Sequence, residues 1–105
     1  MGNLTVLSLS WNRIESPLPL SLWELNMLKT LNLDHNQIDE IPADIEKLSS
    51  LTKLRLDANN LEQIPPQMGQ RTNLKYLALD RNNLVDLPKE MKQMKLLSTL
   101  TMSRN

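Results

Sequence analysis

A nine-residue pattern, L-x-x-L-x-L-x-x-N, occurs five times in this 105-residue chain: Leu4 to Asn12, Leu28 to Asn36, Leu51 to Asn59, Leu74 to Asn82 and Leu97 to Asn105. Successive starts lie 24, 23, 23 and 23 residues apart, and one position departs, Met102 standing where the other copies have Leu. A phase held along the whole chain means a stack of near-identical units, each contacting chiefly its neighbours. Such an array offers a surface before it offers a pocket. The spacing predicts full units at 4–27, 28–50, 51–73 and 74–96 and a partial fifth at 97–105, together one domain over 1–105.

Within each unit the pattern specifies local structure. In Leu51-Thr-Lys-Leu54-Arg-Leu56-Asp57, Leu54 and Leu56 alternate with polar residues, the two-residue period of a half-buried strand. A strand this short cannot bury its Leu face alone; stacking the next unit in register does so and predicts a parallel sheet of five strands. Beyond the strand the period lengthens. Pro42-Ala-Asp-Ile45-Glu-Lys-Leu48 spaces Ile and Leu for one helical or 3₁₀ turn behind a proline. Too short to stand alone, the turn is held by packing. The tighter strand side becomes the concave surface. At the strand end the chain turns inward and leaves backbone groups without ladder partners. An Asn side chain carries both an acceptor and a donor, so it can bond the turn of its own unit and of the next.

Three more residues per unit extend the pattern: Asn36 is followed by Ile38, Ile41 and Pro42, Asn59 by Leu61, Ile64 and Pro65, and Asn82 by Leu84, Leu87 and Pro88. The whole resembles the leucine-rich repeat family, over essentially all of the chain. The 23-residue form is similar to the intracellular "Ras-group" branch. The first unit, Asn12-Arg-Ile14-Glu-Ser-Pro17-Leu18-Pro19, is one residue longer and resembles the 24-residue plant-type form. The resemblance implies an α/β repeat solenoid, a right-handed horseshoe segment with a concave parallel sheet and short convex turns. It also implies a non-enzymatic protein-binding scaffold, with a small GTPase or another signalling protein as partner. Asn12, Asn36, Asn59, Asn82 and Asn105 match its asparagine ladder, whereas Asn60, Asn73 and Asn83 lie off that position and are expected in solvent.

Composition sets the remaining limits. The chain is 40% hydrophobic but has no Phe, one Tyr and two Trp, so Leu, Ile and Met must fill the interior. Twelve basic and twelve acidic residues cancel, giving no electrostatic reason to expect nucleic acid or a membrane surface. Without cysteine there are no disulfides, which favours a reducing compartment, and the cytoplasm is the expected location. The Leu18 to Leu22 stretch is too short to be a leader or a membrane span. The Met1-Gly2 start has Val6 where an acylation signal needs Ser or Thr. Asn3-Leu4-Thr5 is a glycosylation sequon, but one that the repeat itself readily generates.

Chemistry has little to build on. His35 is the only histidine, placed at the outer edge of the sheet face and expected in solvent; Gly2 and Gly69 are the only glycines, too few for a phosphate-cradling loop. No cofactor is expected. Asp34, Asp57 and Asp80 form a column on neighbouring strands, extended by Ser10 and Ser103. Arg55, two residues before Asp57 on the same face, stands diagonally between the neighbouring carboxylates and can neutralise them; a divalent cation is the alternative, and no metal is expected. The concave face as a whole carries the candidate partner-binding residues Trp11, His35, Lys53, Arg55, Asp57, Tyr76, Asp80 and Arg81. Trp, Tyr and Arg are the usual anchors of protein interfaces, although Trp11 can instead serve as a cover for the first unit.

Two features stand apart. Arg71 occupies the position of Leu25, Leu48 and Met94, where a long stem can lie on the core with the guanidinium in water, or mark a lateral binding spot. No polar cap is evident at either end, which predicts self-association through the ends, coverage by a partner, or a longer parent chain. The reading is an interaction module that binds another protein on its concave face. Rivals are part of an extracellular receptor, a structural subunit of a larger assembly, and a truncated or engineered array.

Overall fold

A computed structural model describes residues 3–105; Met1 and Gly2, the start that lacks an acylation signal, lie outside the described residues. Five strands, β1 (Val6–Ser8), β2 (Thr30–Asn32), β3 (Lys53–Arg55), β4 (Tyr76–Ala78) and β5 (Thr99–Thr101), form one parallel sheet in sequence order. The register does not slip. Leu7, Leu31, Leu54, Leu77 and Leu100 stand side by side, so each unit turns the same face inward. This is the parallel-sheet solenoid that the Leu period predicts.

The return path of each unit is a single 3₁₀ turn: Leu20–Glu24, Ala43–Lys47, Pro66–Gln70 and Lys89–Gln93. A proline caps each one: the carbonyls of Pro19, Pro42, Pro65 and Pro88 accept from the N–H of Leu22, Ile45, Met68 and Met91 at 3.0–3.1 Å. Proline suits the place because its fixed φ leads into the turn and it has no N–H to leave unpaired. Among the described residues no helix is long and apolar enough to cross a membrane.

The core is a ladder of leucines between sheet and turns. Leu28, Leu31 and Leu33, Leu51, Leu54 and Leu56, and Leu74, Leu77 and Leu79 are fully buried, with Ile38, Ile45, Leu61 and Met68 packed behind them. Each fully buried Leu contributes roughly 1.5–3 kcal/mol over leaving it exposed. Burial fails at the edges of the stack: Leu4, Leu7 and Leu9 are only partly covered, and Leu100 is 41% exposed.

The asparagines are satisfied from both sides, but in the opposite sense to the one expected. Asn36 donates to its own Leu33 and Asp34 carbonyls and to the Leu9 carbonyl of the preceding unit, and its Oδ1 accepts from the N–H of Asn12 and Ile14. Asn59, Asn82 and Asn105 repeat this, their Oδ1 accepting from Ile38, Leu61 and Leu84 respectively. Each rung therefore ties back to the preceding unit, because that unit's turn lies behind the strand end from which the amide projects. Among the described residues the Asn12 side chain bonds only the Ser10 carbonyl of its own turn, and Asn12 is exposed, as is Asn105, while the three inner rungs are buried. Asn60, Asn73 and Asn83 are exposed.

Arg71 also departs from expectation. It is 9% exposed rather than snorkelling into water, and its Nε has no hydrogen-bond partner among the described residues. Burial pushes its pKa down, opposed by the charge of Glu46. The position is buried in every full unit, as Leu25, Leu48 and Met94 are, and Arg71 is enclosed with them. A Cβ on Gly69 would fall 2.8 Å from the Glu90 carbonyl carbon, so the absence of a side chain there lets the last two turns close up.

Candidate protein-binding surface

The concave surface is built from the outward residues of the five strands and the residue that ends each one. That last residue is the least expected element. Trp11, His35, Ala58, Arg81 and Arg104, each immediately before a ladder asparagine, have φ of 63°, 59°, 57°, 58° and 61°. Left-handed backbone costs a non-glycine residue about 1 kcal/mol or more, and here no glycine relieves it. The backbone groups that the turn exposes are those the ladder satisfies, which offsets the strain. The turn also holds each of these side chains at the rim of the sheet.

Two of the three column carboxylates are buried, not outward as expected, and Asp80 is half-buried. Asp34 is 3% exposed and Asp57 9%. Asp34 accepts from Ser10 Oγ at 2.7 Å and pairs with His35 Nδ1 at 2.9 Å, and Arg55 Nη2 stands 3.7 Å away. Burial alone would raise its pKa, but these bonds and the Arg55 charge outweigh it and hold the carboxyl below its ordinary value. Arg55 binds Asp57 through two hydrogen bonds, Nη2 at 3.0 Å and Nε at 3.3 Å, and this contact raises the guanidinium pKa further. Asp80 is held by the N–H of Ser103 at 2.6 Å and its Oγ at 3.0 Å. Ser10, His35 and Arg55 close over Asp34 and Asp57, and this is why those two are shielded.

Ligand atoms of Asp34, His35 and Asp57 lie within 4.8 Å of one another. The Arg55 guanidinium already sits between the two carboxylates and supplies their counter-charge, so the donor set fits an internal ion-pair network and not a cation site. The His35–Asp34 pair also lacks a nucleophile: Ser10 Oγ, the hydroxyl bonded to the pair, donates to the carboxylate and not to the ring.

What remains exposed differs from the list of outward residues. His35 is half-buried and not fully in solvent; it lies flat against Trp11, ring centroids 3.8 Å apart and planes 11° from parallel. Trp11 is nevertheless 73% exposed, a shelf at one end of the face, whose first strand also leaves Val6 exposed. Lys53 Nζ lies 5.1 Å from the Tyr76 ring centroid, a cation–π contact across β3 and β4. Arg81 and Arg104 are exposed at the rim. The structure thus brings Trp11 to His35, Arg55 to Asp57 and Lys53 to Tyr76, and leaves Asp80 and Arg81 apart from those three pairs.

Fold and surface together define a leucine-rich repeat solenoid with an open concave sheet. A leucine-rich repeat region model matches residues 2–105, and the chain belongs to the leucine-rich repeat family. Members of that family are in general interaction modules, not enzymes. A solved leucine-rich repeat protein of Leptospira interrogans is 36% identical, with TM-score 0.95, over 99% of this chain and 26% of that one. The plant peptide hormone receptor RGFR1 in complex with RGF2 is 30% identical, with TM-score 0.86, over 96% of this chain and 17% of that one. The ectodomain of the Arabidopsis thaliana membrane receptor kinase GASSHO1/SCHENGEN3, in complex with Casparian strip integrity factor 2, is also 30% identical, with TM-score 0.84, over 94% of this chain and 12% of that one. The chain thus spans about a quarter or less of the length of these proteins. A comparison with curated proteins returns no match.

Proposed function

We propose that this chain is a non-enzymatic module that binds another protein, or a peptide segment of one, on its concave face, within the cytoplasm. The observation that carries this reading is the exposed Trp11, stacked on His35 at the edge of a sheet whose other outward groups include Tyr76, Lys53 and Arg81. Large amphipathic side chains immobilised before binding lose little freedom on contact, which is what interface anchors need. The absence of cysteine supports the reducing setting, and the intracellular-type units support a signalling partner such as a small GTPase. A second reading, part of a receptor ectodomain that recognises a peptide, is favoured by the two plant receptors and by the plant-type first unit.

The test is a pull-down from native extract with paired variants. Trp11→Ala, Tyr76→Ala and Arg81→Ala should each weaken a captured partner, by about 1–2 kcal/mol for a true anchor. Lys92→Glu and Glu46→Lys on the convex side should not. The reverse pattern moves the site to the convex side and removes the proposal.

A further inference from the structure

Resting on the concave reading, we infer the chemistry of the partner: an extended acidic segment with one aromatic or large aliphatic residue. The chain is neutral as a whole, but its concave charges are not balanced where a partner would meet them. All three concave carboxylates are occupied by protein groups: Asp34 by Ser10 and His35, Asp57 by Arg55, and Asp80 by Ser103. By contrast Lys53, Arg81 and Arg104 are exposed, and among the described residues none has a carboxylate within 4.0 Å. A partner laid on this face therefore meets three cations with no paired carboxylate against one half-buried carboxylate, Asp80, which is bonded to Ser103.

The opposite charge collects elsewhere. Glu15, Asp39, Glu40, Glu62 and Asp86, all exposed, follow the ladder asparagines and line the lateral edge. That edge repels an acidic segment and the concave face attracts it, so the charge pattern both selects the partner and orients it.

Spacing gives the segment its order. Trp11, Arg81 and Arg104 are equivalent residues of the first, fourth and fifth units. At about 4.8 Å per strand, Trp11 and Arg81 lie about 14 Å apart, and Arg104 one strand further. A chain rising about 3.3 Å per residue covers the first interval in about four residues and reaches Arg104 in one or two more. The structure assigns an apolar side chain to the Trp11 shelf and carboxylates about four and about six positions away.

A displayed library of random short peptides, selected on the purified chain, tests this. The selected peptides should place Asp or Glu about four to six positions from an aromatic or aliphatic residue. One of them, fluorescein-labelled, should bind about tenfold more weakly to the Lys53→Ala/Arg81→Ala double variant, whose thermal midpoint stays unchanged, and should weaken as ionic strength rises. Selection of basic or neutral peptides, or of none, overturns the inference. Where neutral peptides are selected and lost on Trp11→Ala, the concave site stands and its acidic preference falls. If acidic peptides bind but are lost on Glu46→Lys and not on the double variant, the concave site itself is wrong.

Discussion

Asn59 Oδ1 accepts the backbone N–H of Ile38, 21 residues earlier, at 3.0 Å, while its amide donates to Leu33 of the same earlier unit and to its own Leu56. One side chain thus closes two turns in adjacent units. Its removal strands buried groups on both. Asn59→Ala should cost about 1–3 kcal/mol or more, and Asn60→Ala, in solvent one residue on, less than about 0.5 kcal/mol. Urea denaturation midpoints compare the two directly; equal midpoints would refute the assignment.

Arg71→Leu should leave stability unchanged or raise it. The equivalent Leu25, Leu48 and Met94 are all buried apolar residues, and the Arg71 Nε lacks a partner. Removing an unpaired buried donor is favourable by up to about 1–3 kcal/mol. A melting temperature several degrees lower would show that the guanidinium has a polar partner in solution.

The Asp34 carboxyl, held below its ordinary 3.8, makes stability fall in acid. The folded state favours the ionised form, so the stabilisation is complete above the unfolded-state value and lost as pH falls through the lower folded one. Denaturation midpoints should therefore drop below about pH 4, and the Asp34→Asn variant should show a shallower drop. Arg55→Ala should destabilise at neutral pH by about 1–3 kcal/mol, less than a fully buried pair, because the arginine is about one-third exposed. An acid profile identical in Asp34→Asn and the parent chain would contradict this.

The fourth expectation concerns the isolated 105-residue polypeptide. Leu4, Leu7 and Leu9 at one end are only partly covered, as are Leu97 and Met102 at the other, where Leu100 is exposed. Among the described residues no further strand pairs with the outer edge of β1 or β5, which leaves open strand edges there. This polypeptide should self-associate end to end at micromolar concentration, and polar capping repeats fused to both termini should abolish it. Light scattering that reports a thermostable monomer would count against end-to-end pairing.

Leucine and asparagine positions could be read from the sequence because they answer to the same environment five times over, and repetition turns a weak local signal into a strong one. What escaped depends on neighbours a unit away. The rim residues gave no warning, since none of Trp11, His35, Ala58, Arg81 and Arg104 is a glycine, the usual mark of positive φ. The adjacent ladder asparagine, closing a strand only three residues long, was the available signal. Asp34 and Asp57 read as outward by alternation, but alternation does not say that Ser10, His35 and Arg55 close over them. The direction of the ladder and the burial of Arg71 likewise follow from how one unit seats on the next, which a single unit does not encode.

The rim turn separates scaffold from script. Its unusual backbone is secured from behind by asparagine and from the side by the neighbouring strand, so it holds whether tryptophan, histidine, alanine or arginine stands there. Five adjacent positions can then be rewritten one at a time without redrawing the frame that displays them. Glycine at those positions would relax the chain and leave the line blank.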